Sequence, residues 1–199
     1  MSPPPQLTFR KATPADAPAV LALVRSAYRG ESSRQGWTTE ADYLADERID
    51  EAGVLAKINE PNGAVLLAFT TPSTSTTTTN ANSEQQAPPL LLACCEVLGF
   101  PGDGGLAYFG LFAVSPALQN GGIGRRLLGE AERYAREALG ARQMEMQVVW
   151  LRDELIAWYV RRGYKLLEGE KRPFPYEHLV NGKALRDDLY FLILRKDLV

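Results

Sequence analysis

Three glycines in four positions, Gly121, Gly122 and Gly124, stand directly before a helical pattern, and Arg125 and Arg126 follow them. The first backbone N–H groups of a helix have no partners within the helix and lie at its positive end. A glycine-rich approach lets an anion reach these groups, and the arginines add positive charge beside it. The stretch therefore predicts a phosphate or pyrophosphate site, although a glycine loop taken alone more often makes only a tight turn.

Two common phosphate-binding motifs do not fit this stretch. A Walker loop needs Lys followed by Ser or Thr after its last glycine, where this chain has Arg125 and Arg126. A dinucleotide fingerprint needs a third small residue at the position of Leu127. The predicted anion site therefore belongs to neither of these two nucleotide-binding classes.

The glycines must be positioned by a strand on one side and a helix on the other. Residues 105–114 read as a strand, and apolar residues from Ile123 to Leu139 recur at helical spacing until Gly140 ends the pattern. The predicted arrangement is a strand–loop–helix junction, which suits an anion held at the start of the helix.

The rest of the chain alternates between strand and helix patterns. The predicted strands are 7–11, 64–69, 90–100, 143–150, 164–168 and 187–194. Four helices are predicted. The first follows Thr13 and ends at Gly30, and the second begins near residue 40 with Thr38 or Thr39 as its cap. The third covers 51–58, and the fourth runs from 152 to Gly163. This order predicts an α/β domain with a mixed central sheet.

Residues 70–89 form a tract that is mostly Thr, Ser, Asn, Gln and Pro and has no large apolar side chain to offset the entropy of ordering. We expect a disordered insertion within a hairpin; a regulatory phosphorylation site is the less favoured interpretation. With 199 residues and 45% hydrophobic residues, the chain suits a single domain over 1–199.

Composition argues against several classes of partner. The net charge of −2 provides no overall basic field, so nucleic acid and membrane surfaces are not expected as partners. No apolar stretch reaches about 18 residues and the N-terminus lacks signal features, which predicts a cytoplasmic protein. Cys94 and Cys95 are adjacent in an apolar run and are expected to be buried thiols. No cluster has metal-ligand spacing, so no metal is expected.

The glycine stretch completes a longer motif. Gln119, Gly122 and Gly124 form Q-x-x-G-x-G after the strand ending LFAVSP, and Tyr159 precedes Gly163–Tyr164 in a Tyr-x-x-x-Gly-Tyr pattern. In this order and spacing the sequence resembles the GNAT superfamily of acetyl-CoA-dependent N-acetyltransferases. The resemblance implies a mostly antiparallel central sheet flanked by helices.

The resemblance also implies acetyl-CoA as co-substrate and assigns residues to its binding. Tyr159 matches a tyrosine that is often near the thioester sulfur, and it is the expected acid for the departing thiolate. Arg152 stands where the family often has Asn. The implied cofactor-binding residues are Phe112, Ala113, Val114, Gln119, Asn120, Gly121, Gly122, Ile123, Gly124, Arg125, Arg126 and Arg152.

The general base is not supplied by the motif, because Gly110 stands where the family often has Glu. Glu96, on the neighbouring predicted strand, is the first candidate; a carboxylate on the solvent face is an equally good interpretation. A proton transfer relayed by water is a further possibility. Glu31, Trp37 and Tyr176 come from segments that flank the acceptor cleft in the family, and they are the candidate substrate-binding residues.

The implied function is acetyl transfer to a primary amine of a small molecule or peptide, by direct attack in a ternary complex. Nucleophilic thiol catalysis is disfavoured, because Cys94 and Cys95 have no His in a neighbouring segment. The alternative is a non-catalytic acyl-CoA-binding sensor of the same fold, which Gly110 favours. The chain is expected to be a monomer or homodimer, and the identity of the acceptor stays open.

Overall fold

The computed structural model describes residues 6–70, 89–100, 102 and 104–199. The strands are β1 (Leu7–Lys11), β2 (Leu44–Ala45), β3 (Gly63–Thr70), β4 (Leu91–Gly99), β5 (Leu106–Val114), β6 (Gln143–Val149), β7 (Lys165–Pro173), β8 (Lys183–Ala184) and β9 (Tyr190–Asp197). The α-helices are α1 (Ala17–Tyr28), α2 (Gly30–Arg34), α3 (Glu51–Ile58), α4 (Ile123–Leu139) and α5 (Asp153–Val160).

Seven strands form one sheet in the order β1-β3-β4-β5-β6-β9-β7, and β2 pairs with β8 separately. All neighbouring strands of the large sheet are antiparallel except β5 and β6, which are parallel. The predicted mixed and mostly antiparallel sheet flanked by helices is confirmed.

The parallel pair β5 and β6 separates after a short contact. Only Leu106–Tyr108 pair with Gln143–Glu145, so the following part of β5 has no partner strand on that side in the described structure. Further along β5, Leu111 has a φ of 47°, and the register to β4 shifts there. This shift is a β-bulge, which bends a strand and turns its side chains to the other face. A cleft opens where the two strands part.

The helices cover both faces of the sheet. Helix α4 packs on one face through an apolar stripe that includes Leu127 and Ala131, while α1 and α3 cover the other face. The bulge divides β5 between the two cores: Phe109 belongs to the α4 side, and Leu111 belongs to the α1 side. The strand that carries the glycine loop is thus held from both faces.

The predicted helix from residue 40 is wrong. Residues 40–43 form a bend and a turn, and a short helix, α2, lies earlier, at Gly30–Arg34. The reason is tertiary: the Thr39 hydroxyl bonds to that of Ser33 (2.6 Å), and Glu40 is held by two buried arginines. These contacts outweigh the capping signal of the local sequence. Strand β7 also extends beyond the predicted 164–168.

The predicted insertion at 70–89 lies almost entirely outside the described residues. At its borders, the N–H of Thr70, the last residue of β3, donates to the Leu90 carbonyl (3.2 Å). Cys94 and Cys95 are free, buried thiols, as predicted. Among the helices of the described residues, none has the length and apolar character needed to cross a membrane.

Candidate active site

A cavity of about 590 Å³ lies where β5 ends and α4 begins. Helix α5 forms one wall through Leu155, Trp158 and Tyr159, and Tyr28 and Trp37 approach from the opposite side. Of the predicted site residues, those lining the cavity are Trp37, Phe112, Val114, Gln119, Asn120, Gly122, Ile123, Gly124, Arg125, Arg152 and Tyr159.

The glycine loop presents unpaired backbone N–H groups at this cavity. Asn120 and Gly122 have left-handed φ angles of 68° and 77°, and the first helical bond of α4 runs from Arg126 N–H to Gly122 O. The N–H groups of residues 120–125 have no acceptor among the described residues. Left-handed residues in such a loop turn successive N–H groups toward one side, which makes a concave anion site. The backbone therefore fits the predicted phosphate site.

Gln119 fixes this loop to its surroundings. Its amide donates to the Val114 carbonyl (3.3 Å) and accepts from the Trp37 N–H (3.0 Å), so it joins the end of β5 to the loop after α2. A Cβ at Gly36 would lie 2.5 Å from Gln119 Oε1, which explains why glycine stands there. Gln119 thus positions the anion loop through both amide atoms.

Gly124 has a packing reason rather than a conformational one. A Cβ at this position would lie 3.1 Å from Phe112 Cζ and 3.4 Å from Val114 Cγ2. The absence of a side chain lets the first turn of α4 approach the end of β5 closely. The two glycines of the motif thus have different roles. Gly122 adopts the left-handed turn, and Gly124 allows the close contact between α4 and β5.

Three arginines converge on the outer part of the cavity. Arg125, Arg161 and Arg162 all line it, and the Arg162 guanidinium lies over the Trp158 ring at 3.4 Å. Its Nη1 donates to the Trp158 carbonyl (2.6 Å), while its Nε is buried and finds no acceptor among the described residues. Burial and the charges of Arg161 and Arg125 lower the pKa of Arg162. Bound anionic groups would relieve this repulsion.

Sequence reasoning missed Arg161 and Arg162. The signal was present as two adjacent basic residues just before Gly163, but their position in the fold was needed to bring them to Arg125. The predicted Arg126 does not line the cavity; its guanidinium lies 6.0 Å from the Phe9 ring centroid.

Tyr159 is held in an aromatic cluster at the base of the cavity. Its ring contacts Phe109, Phe112, Trp158 and Tyr164, with centroid distances of 5.0 to 6.4 Å. Its hydroxyl makes no hydrogen bond to another described residue. Burial, together with the nearby Tyr28, raises the pKa of Tyr159 well above its ordinary value. The side chain is therefore a neutral hydrogen-bond donor at neutral pH.

Arg152 belongs to a buried ion-pair network beside the cavity. It pairs with Glu40 (2.8 Å) and bonds to the Thr38 hydroxyl, and Glu40 also pairs with Arg29 (2.8 Å). Arg29 in turn pairs with Asp46 (2.6 Å). The network ties the start of α5 to the end of α1 and to the segment between α2 and α3. Arg152 lines the cavity, but its charge is engaged by the protein.

The candidate base Glu96 does not line the cavity. Both carboxylate oxygens accept from Lys57 Nζ, at 2.9 and 2.8 Å, and the side chain is buried. Glu96 pairs across the sheet with Gly110. The place of a side chain at Gly110 is taken by Tyr108, since a Cβ there would lie 2.6 Å from the Tyr108 ring.

Two candidate substrate residues lie elsewhere. Glu31 is an exposed residue of α2 that pairs with Arg34 (3.1 Å), and the Tyr176 hydroxyl accepts from the Leu189 N–H (2.7 Å) in a separate apolar cluster. Ala113 is buried on the α1 side, and the exposed Gly121 completes the loop without lining the cavity. Of the substrate candidates, only Trp37 lies at the cavity.

The two cysteine thiols are unsuited to nucleophilic chemistry. Burial raises the pKa of Cys94 to about 12 and that of Cys95 well above its ordinary value. Both therefore stay protonated at neutral pH. Within the part of the chain that the structure describes, no three His, Cys, Asp or Glu side chains are grouped to hold a metal ion.

Comparison with known proteins agrees with this geometry. The family described as the Acetyltransferase (GNAT) family matches residues 26–164, which include the bulged strand, the glycine loop and α5. No curated protein sequence matches the chain significantly.

Solved structures share the fold at low sequence identity. The PaiA N-acetyltransferase from Thermoplasma acidophilum, solved with coenzyme A, is 16% identical, with a TM-score of 0.62 over 96% of this chain and 99% of that one. A proposed acetyltransferase from Salmonella typhimurium, solved with acetyl-CoA, is 17% identical, with a TM-score of 0.63 over 98% and 95%. A ribosomal-protein-alanine N-acetyltransferase from Brucella melitensis is 22% identical, with a TM-score of 0.59 over 96% and 99%.

Proposed function

The chain belongs to the GNAT acetyltransferase family, and we propose that it transfers the acetyl group of acetyl-CoA to a primary amine of a small molecule or peptide. The transfer is direct, within a ternary complex, since the buried and protonated Cys94 and Cys95 offer no thiolate nucleophile. Acetyl-CoA supplies an activated acyl group as its thioester.

The observation that carries this proposal is the row of unpaired N–H groups over residues 120–125, at the mouth of a cavity also lined by Arg125, Arg161 and Arg162. Helix N-termini and arginines are the usual partners of phosphate groups. In this assignment, the loop binds the pyrophosphate of the cofactor and the arginines neutralise its charge. The cleft between β5 and β6 accommodates the pantetheine arm.

Tyr159 acts at the leaving group. As the amine nitrogen bonds to the acyl carbon and the C–S bond breaks, the sulfur gains negative charge and needs a donor. Tyr159 is buried and lines the cavity, and its neutral hydroxyl has no other partner within the described residues. Because its pKa is raised, donating a hydrogen bond is more favourable than giving up the proton completely.

The amine must lose a proton before it attacks. For an ordinary alkyl ammonium, deprotonation near pH 7 costs about 4 to 5 kcal/mol. Glu96 stays our candidate base, but Lys57 holds its carboxylate outside the cavity lining, so the proton would reach it through water. Alignment of the amine and thioester is worth about 7 to 11 kcal/mol, which leaves room for a weak base.

A non-catalytic acyl-CoA sensor is the second candidate. The observation that favours it is Gly110, where no carboxylate can face the acceptor and the Tyr108 ring fills the space. Such a protein would bind acetyl-CoA through the same loop and would not turn it over.

One experiment separates the two functions. Purified protein and acetyl-CoA are mixed with a panel of amines, amino acids, aminoglycosides and peptides, and free thiol release is followed together with mass spectrometry of the acceptors. We expect thiol release above hydrolysis with at least one acceptor and a matching acetylated product. Cofactor binding without any product would favour the sensor.

The cofactor loop is tested by calorimetry with CoA. Gly124→Glu brings bulk and negative charge to the anion site, so we expect CoA affinity to fall at least about 100-fold, and more than in Gly124→Gln. Gly124→Gln is the matched control, because it disturbs the Phe112 contact in the same way without adding charge. Equal affinities of folded Gly124→Glu and wild-type protein would refute the assignment of this loop.

A further inference from the structure

Among the residues that the structure describes, the charged side chains beside the cavity leave one cation without a carboxylate. Arg29 and Arg152 form ion pairs with Glu40 and Asp46, which balances two positive charges with two negative ones. Arg48 belongs to the same group of side chains, yet it forms no ion pair or side-chain hydrogen bond within the described residues.

The Arg48 side chain is held in place without having its charge paired. Its Nε is buried and has no acceptor in the described part of the chain, and its guanidinium lies 5.1 Å from the centroid of the Tyr28 ring. Burial by itself lowers the pKa of Arg48, but Tyr28 and Glu40 outweigh it and raise that pKa. The guanidinium is therefore always charged. Arg48 is only partly buried, so a ligand can reach its guanidinium, and an anion that pairs with it gains the energy of a charged hydrogen bond.

The backbone at Arg48 is also constrained. Its φ of 65° lies in the left-handed region, which non-glycine residues rarely adopt. The Asp46 carboxylate accepts the Arg48 N–H at 3.0 Å and keeps this turn in place. Strained backbone that the surroundings enforce is common at ligand-binding positions.

Arg48 does not line the cavity itself, but its neighbours place it beside the bulged part of β5. Tyr28 lines the cavity and donates to the Phe112 carbonyl (3.0 Å), and Tyr108 is another close electrostatic neighbour of Arg48. Arg48 is therefore near residues 108–112 of β5, whereas the phosphate loop begins after Val114. An anion at Arg48 would thus lie apart from the phosphate loop, which leaves the other substrate as its source.

From this unpaired guanidinium beside Tyr28, we propose that the acceptor carries a carboxylate as well as its amine, and that Arg48 binds the carboxylate. The proposal rests on the function proposed above. A guanidinium matches a carboxylate with two parallel hydrogen bonds. Arg29, Arg48 and Arg152 carry three positive charges. Glu40 and Asp46 carry two negative charges, so the group has a net charge of +1. A single positive charge suits a monoanion better than a phosphate dianion. The acceptor class is therefore amino acids and related amino carboxylates.

The test compares acceptors that differ only in the carboxylate. Amino acids, their carboxamides and the corresponding amines without the carboxyl group are assayed with wild-type protein, including acceptors with one, two or three carbons between amine and carboxylate. We expect kcat/KM for at least one amino carboxylate to exceed that of its amide by about 10- to 100-fold, the scale of a charged hydrogen bond. No preference for any carboxylate in an active enzyme would overturn the proposal and leave the acetyltransferase function intact.

Variants then assign the preference to Arg48. Arg48→Met keeps the aliphatic stem, and we expect it to lose the carboxylate preference while kcat/KM for the amides stays within about threefold. Arg48→Lys keeps the charge and should retain part of the preference. Arg34→Met is the control, because Arg34 is an exposed residue already paired with Glu31. A preference that persists in Arg48→Met would also overturn the proposal.

A binding measurement covers the case in which no acceptor is acetylated, which would count against the proposed function itself. Calorimetry of the same amino acids with CoA-loaded protein should show binding to the wild type and loss of binding in Arg48→Met, with unchanged CoA affinity in both. Absence of amino acid binding, or equal binding by both proteins, would refute the role of Arg48.

Discussion

Tyr159 has a fixed ring and an uncommitted hydroxyl, which is the arrangement that a hydrogen-bond donor to a leaving group requires. Tyr159→Phe keeps the aromatic contacts to Phe112 and Trp158 and removes one oxygen. We expect kcat to fall by about 100- to 10,000-fold, the scale of general acid catalysis, with little change in CoA affinity. Because the raised pKa favours hydrogen bonding over full proton transfer, the lower part of that range is expected.

The control for Tyr159 is Tyr164, a neighbouring buried tyrosine whose hydroxyl bonds to Glu132 (3.1 Å) and which does not line the cavity. Tyr164→Phe should leave kcat within a few-fold of wild type. If Tyr159→Phe behaves like Tyr164→Phe while chemistry limits the rate, the Tyr159 side chain serves only packing.

At the residue scale, most of the residues predicted for the anion site line one cavity, but their individual roles could not be predicted. Gly122 and Gly124 were both expected to open the loop to an anion, whereas the contact of Gly124 with Phe112 can be known only once β5 and α4 are assembled. The left-handed Asn120 is a local conformation that its residue type permits but does not dictate. Arg48 shows no motif, because its importance lies in the charges that surround it.

At the element scale, helices with a long hydrophobic periodicity in the sequence were predicted correctly. Helix α4 has an apolar stripe over four turns and ends at Gly140 in the left-handed conformation, as expected for a C-terminal cap. The segment between α2 and α3 has no such periodicity, and distant partners of Glu40 and Thr39 decide its path. The bulge at Leu111 was equally hidden, since no glycine marks its left-handed φ.

The tract between β3 and β4 gives a prediction at the element scale. The two strands are already paired as far as Phe69 with Leu91, and the Thr70 N–H reaches Leu90. Replacing residues 72–87 with a short glycine-containing turn should therefore leave the strand pairing intact. Loop-closure entropy depends weakly on length, so we expect the melting temperature and acetyl-CoA turnover to be nearly unchanged. A large loss of either would show that the tract packs on the domain or contributes to function.

For the whole molecule, the order of strands and helices predicted an α/β domain with a mixed sheet, and the family resemblance added that the sheet is mostly antiparallel. The ion pairs could not be predicted from the sequence, because pairs such as Arg152 with Glu40 join residues that are far apart in the chain. The cavity itself depends on the parting of β5 and β6, which no stretch of sequence encodes alone. The unpredicted features are thus those that arise from packing between elements.

The buried network gives the molecule a characteristic response to acid. Burial alone raises the pKa of Glu40, but Arg152, Arg29 and Arg48 outweigh burial and hold that pKa below its ordinary value. In the unfolded chain the same carboxyl has a pKa of about 4.3. As the pH falls, the unfolded state therefore binds the proton first, and the free energy of unfolding decreases. The contribution of Glu40 is fully present above about pH 4.3 and is lost as the pH falls through the folded pKa.

Urea unfolding between pH 7 and pH 3 checks this response. Glu40→Gln leaves Arg29 and Arg152 without their shared carboxylate, so we expect it to lower the free energy of unfolding at pH 7 by about 3 to 5 kcal/mol. Because the variant has no carboxyl to protonate at this position, its stability should fall less steeply than that of the wild type below about pH 4.3. Glu31→Gln removes an exposed carboxylate and should follow the wild-type curve. Parallel curves for Glu40→Gln and wild-type protein would mean that the arginine network does not shift the titration of Glu40, and that the acid sensitivity of the fold arises elsewhere.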